Sequence, residues 1–85
     1  MQRWEYASLD IVVTNPGGLF QVTSARLILF QYPKAKVIHI QPDKSQGDKN
    51  VAEAAFRILA QMGLDGWEMV GAQGEHILYF KRPIP

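Results

Sequence analysis

The chain has no cysteine, which excludes disulfides and thiolate metal sites and leaves either redox compartment open. It also has almost no charge surplus. Nine Lys and Arg against eight Asp and Glu leave a net charge of +1. No electrostatic term therefore commits it to nucleic acid or an anionic membrane. Long apolar runs are missing as well: stretches such as Leu27-Ile28-Leu29-Phe30 are far too short to span a bilayer. The start, Met1-Gln2-Arg3-Trp4-Glu5-Tyr6, lacks the cationic segment followed by an apolar stretch that marks a secretory signal. The expectation is a cytoplasmic protein with no membrane association.

What is present suffices for a fold. The 85 residues form one domain, residues 1–85, near the lower end of sizes that fold without a staple. A hydrophobic share of 47% with 20% charged residues argues against disorder. A domain this small leaves much of its surface exposed. Self-association through an apolar sheet face or an unpaired strand edge would supplement its stability.

From Trp4 to Thr14, Ala7, Leu9, Ile11 and Val13 alternate with Ser8, Asp10 and Val12, the period of a half-buried strand. Asn15-Pro16-Gly17-Gly18 stops it with turn residues, so a hairpin follows. The run Leu19–Tyr32 is rich in strand formers, but Thr23-Ser24-Ala25 marks a bend or bulge, and the firm strand is Arg26–Gln31. Pro33-Lys34-Ala35-Lys36 is a second turn. Val37–Gln41 is a third strand, with Ile38 and Ile40 on one face. The polar stretch Gln41–Gly47 reads as a surface loop.

Asp48 is then read as the N-cap of a helix over Lys49–Met62. Val51, Ala52, Ala55, Phe56, Ile58, Leu59 and Met62 fall on one broad face of it. Asn50, Glu53, Arg57 and Gln61 fall on the other, with Glu53 and Arg57 spaced for a pair. Gly63 is placed as the left-handed residue that ends the helix, with Leu64 packing back on Leu59. Trp67–Ala72 and His76–Arg82 form the last two strands around a Gln73-Gly74 hairpin. The order is three strands, one helix, two strands.

Three segments together resemble a family of small bacterial proteins, the domain of unknown function 4177 family. They are Trp4-Glu5-Tyr6, Leu64-Asp65-Gly66-Trp67-Glu68-Met69-Val70 and Lys81-Arg82-Pro83, and they bracket most of the chain. The resemblance implies a compact α+β domain and carries no established activity with it.

The residues themselves offer no catalytic constellation. His39, His76, Ser8, Ser24 and Ser45 include no nucleophile in a strained strand-to-helix elbow. The two histidines would meet only if the third and fifth strands were neighbours, and zinc usually asks for three or four ligands. Glu68 and Glu75 flank one hairpin and Asp43 and Asp48 one loop, so a converging pair of carboxylates is not expected. Asn15-Pro16-Gly17-Gly18 lacks the spacing and the following helix of a phosphate loop. No enzyme, cofactor or metal site is expected.

Aromatic residues are the better functional material: Trp4, Tyr6, Phe20, Phe30, Tyr32, Phe56, Trp67, Tyr79 and Phe80. On a sheet face beside Lys81, Arg82, Lys34 and Lys36 they could stack single-stranded bases, and the strand order also fits an oligonucleotide-binding barrel. Against this stand the missing RNP-type aromatic motif and the small basic surplus. Core packing or an oligomer interface accounts for the rings more simply. Lys81-Arg82-Pro83 reads as the guarded end of a strand.

The expected fold is α+β: an antiparallel sheet of four or five strands with one helix on one face. The last strand is apolar on both sides, which calls for a second cover. The expected function is a non-enzymatic interaction or assembly module that self-associates through its sheet, a homodimer first. The alternative is a nucleic-acid or small-ligand binder using aromatic sheet residues. Trp4, Tyr6, Trp67, Tyr79, Lys81 and Arg82 are the candidate contact residues.

Overall fold

A computed structural model describes residues 1–18, 21–74 and 76–85. Leu19, Phe20 and Glu75 lie outside the described residues, and with them the aromatic reading of Phe20 and the placing of Glu75 beside a hairpin.

Strand β1 (Arg3–Thr14) is laid down at the centre, between β2 (Gln21–Phe30) and β5 (Ile77–Ile84). Its alternation drives the arrangement. Ala7 and Leu9 are buried in the core with Ile11 packed beside them, while Trp4, Tyr6, Asp10 and Val12 project from the opposite face. β3 (Lys36–His39) adds to β2, and β4 (Glu68–Gln73) adds to β5. Every pairing is antiparallel, and the sheet runs β3-β2-β1-β5-β4. It is open, with β3 and β4 as its edges. The barrel that the strand order alone would also fit is not formed.

The bulge expected at Thr23-Ser24-Ala25 is present. Val12 opposes Ser24 and Val13 opposes Val22, so Thr23 is the extra residue, and its hydroxyl donates to the Val12 carbonyl at 3.3 Å. β2 continues through the bulge and starts at Gln21, earlier than Arg26, because the ladder resumes on its far side. β5 likewise does not stop at Arg82: Pro83 and Ile84 oppose Trp4 and Arg3. Proline is tolerated there because β4 begins only at Glu68, opposite Lys81, so Pro83 has a strand on one side alone.

Helix α1 (Val51–Leu64) covers one face, crossing chiefly over β2. Both of its expected ends move. Asn50, in extended conformation, is the N-cap, its side-chain oxygen accepting from Glu53 N at 2.9 Å. Asp48 instead turns inward toward Arg57. The expected Glu53–Arg57 pair is absent, since Arg57 is committed to Asp48. At the other end Gly63 is helical. The left-handed residue is Gly66, with φ 90°, beyond the C-cap Asp65. Leu64 is therefore in the helix and 82% exposed, not packed on Leu59. Phe56 is also mostly exposed: the buried arc centres on Val51, Ala54, Ala55, Ile58 and Met62, and Phe56 falls on its flank.

The core between helix and sheet is thin. Its buried hydrophobic residues are Ala7, Leu9, Ala25, Ile40, Ala54, Ala55, Met62 and Phe80. Half of these are alanines, and apolar stabilisation scales with the area buried. The helix ends give a direct check. Substituting Gly63→Ala places a Cβ in open space on a helical residue, and should raise stability by about 0.5–1 kcal/mol. Gly66→Ala forces alanine into a left-handed conformation and should cost about 1 kcal/mol. Urea unfolding of both variants is the measurement, and opposite signs are the expected outcome.

Candidate interaction surface

The face of the sheet away from α1 is built in rows by the strand register, since directly opposed residues share a face. One row runs Glu68–Lys81–Tyr6–Phe30 from β4 to β2. The next runs Gly71–Tyr79–Ser8–Ile28–Val37, and the third Gln73–Ile77–Asp10–Arg26–His39. Trp4, beside Pro83, lies above the first row. The first two rows form an aromatic and aliphatic band, within which Tyr6, Phe30 and Val37 are each close to half exposed.

Charges at the margins of this band are paired within the chain. Lys81 Nζ sits 3.6 Å from Glu68 and 4.1 Å from the centre of the Trp4 ring. Arg26 meets Asp10 at 3.3 Å, and Ser8, buried beneath the band, donates its hydroxyl to the other Asp10 oxygen at 2.9 Å. Tyr79 donates to the Gln73 side chain at 2.9 Å. Among the described residues, Lys81 and Arg26 at the margins of this band are each answered by a carboxylate.

The six candidate residues do not form one site. Trp4, Tyr6, Tyr79 and Lys81 share the open face. Arg82 and Trp67 lie on the helix side. Successive residues of a strand point to opposite faces, so Lys81 and Arg82 cannot both serve one surface. The Arg82 guanidinium stacks 4.4 Å from the centre of the Trp67 ring. It also bonds the Glu5 carboxylate and donates to the Asp65 carbonyl at 3.2 Å. This pair ties the helix-to-β4 junction to β1 and is structural. Phe30, named among the aromatic residues but not among the six, also lies on the open face, as do Ile28 and Val37, which the sequence did not single out. Their register with Ser8 and Tyr6 was the missing information.

Two of the clefts among the described residues are shallow and open. One, of about 260 Å³, lies on the open face against Asp10, Val12, Ser24, Arg26 and His39. The other, of about 240 Å³, lies between α1 and the sheet against Leu27, Leu29, Ile58, Met62, Trp67 and Arg82. Both fall below the roughly 300–1,000 Å³ of ordinary small-molecule sites. His39 and His76 do not meet, because β2 and β1 separate β3 from β5. Among the described residues no three His, Asp or Glu side chains are grouped to hold a metal ion, and no helix is long and apolar enough to cross a membrane.

The loop before the helix is anchored by charge. Arg57 Nε and Nη2 fork onto Asp48 at 2.8–3.1 Å, and Asp48 also accepts from Asp43 N at 3.0 Å. Asp43 caps the short turn Lys44–Gln46 by accepting from Ser45 N at 2.9 Å. The loop is thus a braced structure.

Fold and surface together define a class: a small α+β domain with an open antiparallel sheet and one uncovered, largely apolar face. No protein-family model, curated protein or solved structure matches the chain.

Two tests follow. The hydrogen bonds from Arg57 hold the Asp48 carboxyl below its ordinary value, against the opposing effect of burial. A carboxylate whose folded pKa is depressed stabilises the fold above its unfolded pKa, and that contribution fades as pH falls through the folded value. Below about pH 4, where an unfolded aspartate titrates, the parent should therefore lose stability more steeply than Asp48→Asn. Thermal unfolding across that range checks it. Separately, Arg82→Lys keeps the charge but loses the planar fork and the stack. It should cost about 1 kcal/mol, a sum of modest cation–π and part-exposed ion-pair contributions, read as a lower urea midpoint.

Proposed function

We propose that the protein is a non-enzymatic assembly module whose open sheet face, centred on Tyr6, Ile28, Phe30, Val37 and Tyr79, docks face to face on a second copy. The observation that carries this is an apolar, aromatic band on a sheet whose single helix lies on the other side. A sheet apolar on both faces needs two covers. At strand spacings of about 4.8 Å and rises of about 3.3 Å per residue, the three central strands offer a flat face of roughly 500 Å², before side-chain relief is counted. The flanking pairs Lys81–Glu68 and Asp10–Arg26 are neutral as units, so a two-fold related copy meets no net repulsion. Aromatic residues at the centre with charges at the rim is the usual anatomy of such an interface.

The thin alanine-rich core gives the same reading a thermodynamic reason: the isolated chain buries little, and a second layer adds apolar area. A cytoplasmic homodimer without a cofactor is the form we propose. Binding of single-stranded nucleic acid through Trp4, Tyr6 and Phe30 is the weaker reading, because Lys81 and Arg82 are already partnered by Glu68 and Glu5.

Sedimentation equilibrium at high micromolar concentration tests it. The parent chain should sediment as a multiple of its mass and Phe30→Glu should dissociate at that contact. Phe56→Glu, an equal charge placed on the exposed flank of the helix, should leave assembly unchanged. A parent chain that stays monomeric would sink the reading.

A further inference from the structure

Two aspartate–arginine pairs in this molecule differ in character. Arg57 and Asp48 meet at 2.8 Å, and the Asp48 side chain is only 4% exposed. That pair is closed and structural. Arg26 instead reaches Asp10 through Nε and Nη2 at 3.4 and 3.3 Å, longer than the roughly 2.7–2.9 Å of a tight charge-assisted bond. The Arg26 side chain is 52% exposed and that of Asp10 15%. Arg26 therefore keeps unused donors, those of Nη1 above all. The Asp10 carboxylate, which also accepts from Ser8, keeps unused lone pairs.

This loose pair lines the cleft of about 260 Å³ on the open face. Strand register supplies the other walls. Asp10, Arg26 and His39 stand side by side on β1, β2 and β3, and Val12 and Ser24 form the next row toward the β1–β2 hairpin. The Thr23 bulge borders the cleft, and a bulge bends its strand and re-aims the neighbouring side chains. The side-chain hydrogen bonds of this region run from Ser8 to Asp10, from Thr23 to the Val12 carbonyl and from Arg26 to Asp10. Among the described residues the Ser24 hydroxyl and the His39 ring have none, so both can donate to a ligand.

We propose that this cleft binds a small zwitterion, an α-amino acid with an aliphatic side chain. Its carboxylate accepts from Arg26, Ser24 and His39, its ammonium group donates to Asp10, and its side chain packs on Val12, which is 53% exposed. Charge selects the class. A lone anion would meet the Asp10 carboxylate and a lone cation the Arg26 guanidinium, whereas a ligand carrying both signs opposes neither. Size agrees: at about 30 Å³ per water the cleft has room for roughly nine, which suits a ligand of about as many non-hydrogen atoms. The site goes beyond the assembly reading and does not rest on it, since the cleft lies in the third row, outside the aromatic band.

Titration with L-leucine, followed through the amide NMR signals of labelled protein, tests the site. Leucine should shift the amides of Val12, Ser24, Arg26 and His39 saturably and leave those of Ala54 and Met62 in the helix in place. Isocaproate, which lacks the ammonium group, and isoamylamine, which lacks the carboxylate, should each bind about tenfold more weakly or worse, the cost of a charged hydrogen bond left unmade. Arg26→Gln should weaken leucine by a similar factor and Ser24→Ala severalfold. The exposed Ser24 hydroxyl has no role in the fold, so the second variant keeps the test valid if the first unfolds. Both the parent and Phe30→Glu are titrated, so that a second copy lying over the cleft is not mistaken for a missing site. No saturable shift in either protein overturns the proposal. So does an analogue that binds as tightly as leucine, or unchanged leucine binding in the folded variants.

Discussion

One geometrical constraint governs this molecule: a single 14-residue helix must serve a five-stranded sheet whose central strands carry apolar residues on both faces. The helix covers one side, with the alanines of α1 and of the sheet in its thin core. Everything unusual follows from the uncovered side. Ser8 is buried there on the face away from the helix, in register with Ile28 and Tyr79. Asp10 is held between Ser8 and Arg26, so a charged group in the midst of an apolar face keeps its hydrogen bonds. The Lys81 and Arg26 charges near the face are paired within the chain.

Two arginines hold the frame around this sheet. Arg57 fastens the loop after β3 to α1 through Asp48. Arg82 fastens the turn after α1 to β1 through Trp67 and Glu5. Both act where the chain crosses between helix and sheet, the places where backbone hydrogen bonding is least able to fix geometry. Their planar, multiply donating head groups suit a role that a lysine would fill poorly. Neither takes part in the open face, which is why substitutions there are expected to separate assembly from folding.

Much of the architecture was legible from local chemistry. The alternation through Ala7, Leu9 and Ile11, the hairpin at Asn15–Gly18 and the interruption near Thr23 each declared themselves through period or turn residues. The helix ends did not. Asp48 and Asn50 are both good capping residues two positions apart. The choice was made by Arg57, nine residues from Asp48 in sequence and invisible to a capping rule. Gly63 and Gly66 posed the same ambiguity, and the helix ran past the first to Leu64, with Asp65 N still reaching the Gln61 carbonyl. The candidate surface was only half legible. Neighbouring Lys81 and Arg82 read as one basic patch, yet strand alternation sends them to opposite faces. Phe30 and Val37 could be assigned to the open face only once register placed them in rows with Tyr6 and Ser8.

The central claim, that a second copy covers the open face, is tested most directly by isotope-filtered NOE spectroscopy on an equal mixture of labelled and unlabelled protein. The account predicts intermolecular contacts from the Tyr6 and Phe30 rings to the Ile28 and Val37 methyl groups. Intermolecular contacts confined to Phe56 and Leu64 on the helix side, or none at all at high concentration, would contradict it.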